Sequence, residues 1–127
     1  MPEISGLHHL GLLVEDLTRA KHFYESVLGL APHPARPALP YPGEWYELPD
    51  GRQLHLMRLP NPEAGLARPE HGGRDRHAAF LVADLEALQR TLQVAGVPYT
   101  LSKSGRPALF CRDPDGNAME FVQDAAR

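Results

Sequence analysis

The chain repeats itself, and that repeat limits its fold more than any other feature. "HHLGLLVEDL" at residues 8–17 aligns with "RHAAFLVADL" at 76–85, matching His9 with His77, Val14 with Val82, Asp16 with Asp84 and Leu17 with Leu85 at an offset of 68. A second echo sets "PDGRQLHLM" (49–57) against "PDGNAMEFV" (114–122) at an offset of 65, with the same four-residue step from the turn glycine to His55 and to Glu120. Self-similarity at a near-constant offset marks one supersecondary unit used twice. The 127 residues are therefore expected to form a single domain, 1–127, with module 1 at about 4–59, a linker at about 60–75 and module 2 at about 76–124.

Each half carries the same local signals. Residues 5–14 alternate as a strand. Asp16 then caps a helix whose Leu17, Ala20, Tyr24, Val27 and Leu28 share a face before Gly29 stops it. Residues 77–83 repeat the strand, Asp84 the cap, Leu85, Leu88, Leu92 and Ala95 the stripe, and Gly96 the stop. Short extended runs follow: "EWYEL" and "RQLHLMRL" in the first half, "VPYTL", "PALFCR" and "NAMEFVQ" in the second. The unit reads as strand, helix and about three strands. "APHPARPALPYPG" (31–43) holds five prolines and reads as a stiff loop with at most an edge strand, and "PNPEAGLARPEHGGRDR" (60–76) as the connection between halves.

The totals exclude several functions. A formal charge of -3 supplies no basic field for nucleic acid. The lone Cys111 permits no internal disulfide, and no apolar run is long enough to span a membrane. A cytoplasmic protein with a small-molecule substrate, and no nucleic-acid or membrane partner, is expected.

Strand alternation puts His8 with Leu10, Leu12 and Val14, and His9 with Gly11 and Leu13; in the second copy His77 falls with Ala79 and Leu81. The bulkier row is the natural bed for the helix, which leaves His9 and His77 on the other face. His8 is then expected to be structural at most. His55 and Glu120 each sit between apolar neighbours and point away from them. A strand histidine alone is more often an ordinary core or surface residue, and such a glutamate often simply faces solvent. Their coincidence at repeated positions is what suggests a site. Three imidazoles and one carboxylate are ligands for a divalent transition ion, and an open position would suit catalysis.

"HHLGLLVEDLTRAKHFYESVLGL", "DRHAAFLVADLEAL" and "FCRDPDGNAMEFV", in this order, resemble the vicinal oxygen chelate superfamily, also described as the glyoxalase, bleomycin resistance and extradiol dioxygenase group. The resemblance covers essentially the whole chain. It implies an α+β fold: two βαβββ modules forming an incomplete mixed β-barrel with helices packed outside, usually as a homodimer. It also implies metal ligands on first and last strands, which carries onto His9, His77 and Glu120, with the fourth family position at His55. The ion implied is zinc, nickel, iron, manganese or cobalt.

Departures bear on the reaction. Glyoxalases acting on glutathione adducts resemble this plan but typically have Glu at the position of His55 and Arg at that of Leu13. Fosfomycin-resistance enzymes of the group match His9, His77 and Glu120 but have Thr where Gly11 stands. The reading that results is a glyoxalase-like, metal-dependent isomerase or lyase. It acts on a small, oxygenated, anionic substrate through an enediolate or oxyanion, with Glu120 as base. Arg74, Arg76 and Arg106 are candidate holders of the anionic group, and Trp45 a cavity wall. His71, in a glycine-containing loop, is a candidate gate or substitute ligand. Two alternatives stand beside this: an extradiol-type ring-cleaving dioxygenase with ferrous iron, and a non-catalytic drug-binding resistance protein.

Overall fold

Asp16 accepts a hydrogen bond from the Arg19 amide at 3.0 Å and Asp84 one from the Ala87 amide at 3.0 Å, so both halves enter their helix through the same side-chain cap. These geometries come from a computed structural model that describes residues 1–125. The chain divides into two units, Met1–Pro62 and a second beginning at Glu63.

The first unit contains β1 (His9–Leu13), α1 (Leu17–Lys21), β2 (Gly43–Glu47) and β3 (Gln53–Met57). Its sheet has the order β1-β3-β2, with β1 parallel and β2 antiparallel to β3. The helix continues as a π-helical stretch, His22–Val27, closed by a Leu28 amide bond to the Phe23 carbonyl at 3.0 Å. Ala20, Phe23 and Tyr24 are buried together at the i, i+3, i+4 spacing of one helix face, and Phe23 is the member that the sequence-derived stripe left out. The proline-rich loop contributes only one bridge, Pro32 to Tyr46, because proline offers no amide to a ladder. This unit is thus βαββ, one strand short of its expected plan.

The second unit is a complete βαβββ: β4 (His77–Val82), α2 (Leu85–Ala95), β5 (Tyr99–Leu101), β6 (Ala108–Arg112) and β7 (Ala118–Gln123). Its order is β4-β7-β6-β5, with β4 parallel to β7 and the other pairs antiparallel. The α+β class and the two mixed sheets agree with the sequence reading.

Each core lies on one face of its sheet. In the first unit Val14, Ala20, Tyr24, Tyr46, Leu54 and Leu56 are almost wholly buried; in the second Leu92, Leu109, Cys111 and Met119 are. A buried leucine of this kind contributes roughly 1.5–3 kcal/mol. Tyr46 donates its hydroxyl to Glu25 at 2.8 Å, and burial first, then this carboxylate, raises its pKa above the ordinary tyrosine value of 10.0. A raised pKa stabilises the fold below the unfolded value, and that contribution is lost as pH rises beyond it. Alkaline unfolding is expected to set in as pH passes about 10 and to be weaker in Tyr46→Phe. Circular dichroism against pH measures this, and identical curves for the two proteins would contradict it.

The repeated Pro-Asp-Gly turns use glycine at a positive φ, +86° at Gly51 and +85° at Gly116, where a side chain is disfavoured. The second turn is held by Asp113, 4% exposed, which accepts from the Asp115 amide, the Asn117 amide and the Asn117 side-chain amide, each at 2.9 Å. This turn starts β7 and so sets the position of Glu120. Asp113→Ala is expected to cost about 2–3 kcal/mol by urea unfolding. A loss under about 0.5 kcal/mol, the size of an ordinary surface change, would contradict that role.

Candidate functional site

Register explains which side chains meet. In the second unit Ala79 on β4 and Phe110 on β6 both stand opposite Glu120 on β7, so His77, Glu120 and Phe110 share one face. The opposite face carries Phe80 stacked on Phe121 at 5.6 Å, beside Met119 and Leu109. In the first unit Gly11 on β1 and Trp45 on β2 stand opposite His55 on β3, and His9 joins them.

Glu120 is 2% exposed yet carries two polar partners. His77 Nε2 lies 3.2 Å from Oε1, and Arg106 donates from Nη2 to Oε2 at 2.9 Å. Arg106 is itself steadied, its Nε donating to Ser104 Oγ at 3.2 Å. His77 Nδ1 donates to the Asp75 carbonyl at 2.9 Å, which commits the ring's Nδ1 proton. Its Nε2 then faces the carboxylate with two options: carry a second proton as imidazolium, or turn its lone pair to a cation. Phe110 packs its ring edge-on against both His77, at 5.1 Å, and His71, at 4.9 Å.

Asp75 is fixed in turn by a network of arginines. Arg112 donates to its carboxylate at 2.8 Å, Arg68 bonds it at 3.4 Å, and the Arg112 hydrogen bond is the chief reason its carboxyl stays below its ordinary value. Glu63 binds both Arg68 and Arg76. The segment expected to be a connection is therefore tied down around the residue that orients His77.

In the first unit the rings form a column. His55, 8% exposed, lies between Trp45 at 4.1 Å with planes 5° apart and His9 at 4.1 Å with planes 19° apart. Gln53 Oε1 meets its Nε2 at 2.8 Å. Burial first, then the neighbouring His9, lowers the His55 pKa to about 4, so it is neutral at physiological pH. His8, expected on the helix-facing row, instead turns its Nδ1 to His9 Nδ1 at 2.9 Å. Alternation governs strand residues, and β1 begins only at His9, so His8 is free of that rule.

The sequence-derived candidates fall out as follows. His77, Glu120 and Arg106 are in direct contact in one unit, and His9, His55 and Trp45 in the other. Arg76 is engaged by Glu63, Arg74 is exposed at the end of a 3₁₀ turn (Gly72–Arg74), and His71 is bonded to Thr100 Oγ1 at 2.7 Å. Sequence reasoning passed over Phe110, Asp75 and Gln53. Phe110 was findable, since the 65-residue offset that links His55 to Glu120 also links Trp45 to Phe110. Asp75 acts through its backbone carbonyl, which no residue-type pattern reports.

The spacing of His77 and Glu120 is compatible with two ligands of one divalent ion. Two ligands about 2.1 Å from one ion are separated by roughly 3.0–3.4 Å at octahedral to tetrahedral angles, and the His77–Glu120 gap of 3.2 Å lies in that range. The carbonyl bond at Nδ1 is the usual way a ligating imidazole is aimed. His9, bonded through Nδ1, keeps Nε2 available among the described residues. Among the described residues no three or more His, Cys, Asp or Glu side chains are gathered where they could hold a metal ion together.

The fold and these two faces define a small two-module α+β protein with chemistry-bearing side chains on the first and last strands of each module. Residues 6–121 match the model of the Glyoxalase/Bleomycin resistance protein/Dioxygenase superfamily, and the chain belongs to that family. It is 27% identical over 123 residues to Glyoxylase I 4 of Arabidopsis thaliana, covering 93% of this chain and 70% of that protein. It is 30% identical over 123 residues to the lactoylglutathione lyase of Haemophilus influenzae, covering 91% and 90% respectively. A glyoxalase family protein from Bacillus anthracis has a similar fold, with a TM-score of 0.76 at 22% identity over 98% of each chain. Among the described residues no helix is long and apolar enough to cross a membrane.

Proposed function

We propose that this chain is a glyoxalase-like, divalent-metal-dependent isomerase or lyase acting on a small, oxygenated, anionic substrate. The observation that carries the reading is the buried Glu120 carboxylate, held at one oxygen by Arg106 and facing His77 Nε2 with the other. His9, His77 and Glu120 are the proposed holders of the ion, with His55 at the fourth family position. A bound ion supplies Lewis acidity toward vicinal oxygens of the substrate. Glu120, the one carboxylate of the set, takes the proton α to the substrate carbonyl and returns it. Arg106 keeps that carboxylate in place from the Oε2 side. Trp45 is the proposed aromatic contact of the substrate, and Arg106, with Arg74 and Arg76, the proposed holders of its anionic group.

The two curated relatives support lyase-type chemistry. Leu13 and His55, standing where glutathione-dependent members typically carry Arg and Glu, favour a substrate other than a glutathione adduct. The family resemblance supports a homodimer, and the lone Cys111 a reducing, cytoplasmic setting.

The test is exchange of the α-proton. Tag-free protein loaded with nickel, zinc, cobalt or manganese is incubated anaerobically in D₂O with small α-hydroxycarbonyl acids, and the α-proton signal is followed by NMR. Metal-dependent loss of that signal without oxygen is expected. Turnover only of a catechol, with ferrous iron and oxygen, would replace this reading with the ring-cleaving one. Less than about a tenth of an equivalent of bound metal after repletion, far short of any site, would favour the drug-binding one.

A further inference from the structure

The four family positions do not have equal standing here. An ion ligated by an imidazole lies in the plane of the ring, about 2.0–2.1 Å from the nitrogen. The His9 and His55 rings are stacked 4.1 Å apart with their planes only 19° from parallel, so an ion in the plane of one lies well outside the plane of the other. Turning His55 toward an ion bound by His9 would break its stack on Trp45, its stack on His9 and its bond to Gln53 together.

The local architecture favours the stack. Gly11 stands opposite His55 in the β1–β3 register, and what a side chain there would meet is the Met57 methyl at 3.2 Å, so His9, two residues earlier on the same face, is the β1 side chain that reaches the His55 ring. In the second unit the corresponding position is Glu120, with Ala79 opposite, and there the carboxylate meets His77 through its oxygen. The same register position is thus used differently in the two copies.

We infer that His55 is a positioning residue and not a ligand: the middle ring of a Trp45–His55–His9 column that fixes the orientation of His9. This rests on the proposal that His9 holds the ion. Trp45, the only tryptophan, reports on the column through its near-UV circular dichroism.

The experiment uses the full chain, tag-free and stripped of metal, titrated with Ni²⁺ against a chelator, with visible absorption of the Co²⁺ form as a second readout. His55→Phe keeps a ring but no donor. It is expected to retain the near-UV signal, the Co²⁺ spectrum and an affinity within about 3-fold of the parent. His55→Ala is expected to lose the near-UV signal and to weaken affinity by about 10-fold, as removal of an orienting neighbour does. His9→Phe is expected to lose more than about 100-fold, beyond the range of an orienting group. An affinity in His55→Phe as low as in His9→Phe overturns the inference and leaves the proposed ligand role of His9 intact. Parent-like affinity in His55→Ala overturns the positioning role. Parent-like affinity in His9→Phe overturns both the inference and the ligand reading beneath it.

Discussion

Glu120→Gln is expected to lower turnover by about 10²–10⁴-fold while the protein stays folded, the range a positioned base contributes. The amide has the shape of the carboxylate and reaches the same space between His77 and Arg106, but it cannot accept the α-proton. Its buried surroundings magnify the change, because Arg106 then faces a neutral group where it had a carboxylate at 2.9 Å. Asp115→Asn is the control: it removes a charge five residues away, in the Pro-Asp-Gly turn, and is expected to leave turnover unchanged. Equal losses in the two variants would place the base elsewhere.

His77→Ala is expected to lower Ni²⁺ affinity by more than about 100-fold, measured by chelator competition, since it removes a proposed ligand and not merely a group that orients one. The Asp75 carbonyl would remain where it is, held by the Arg112 and Arg68 contacts, so the loss isolates the ring itself. His8→Ala is expected to weaken binding by no more than about 10-fold. The structure gives His8 a contact with His9 that alternation did not, and orienting neighbours are worth roughly 10–100-fold, of which this exposed contact is expected to reach only the low end. An unaltered affinity in His77→Ala would remove the second unit from metal binding.

Much of this was legible because duplication writes each constraint twice. Asp16 and Asp84, Gly51 and Gly116, and the pairing of His9 with His77 all announce the same local geometry in two places. What the sequence hid belongs to three kinds of physics. The helix opens into a π-helical stretch at His22–Val27, a change of backbone hydrogen bonding that side-chain periodicity does not report. The proline-rich loop lost a strand, because missing amides cannot form a ladder. The column of Trp45, His55 and His9 depends on ring orientation, which residue identity leaves open. That a first-strand histidine and a last-strand polar residue share a face in each unit was readable; the ring stack in one unit and the histidine–carboxylate contact in the other were not.

The central claim is that His9, His77 and Glu120 hold a divalent ion beside the Glu120 carboxylate. Anomalous diffraction from a crystal of nickel-loaded, tag-free protein tests it most directly. The expected result is one strong peak within about 2.0–2.2 Å of His77 Nε2 and a Glu120 oxygen, with His9 among the ligands. Full nickel occupancy at any place without His77 and Glu120 would contradict the account.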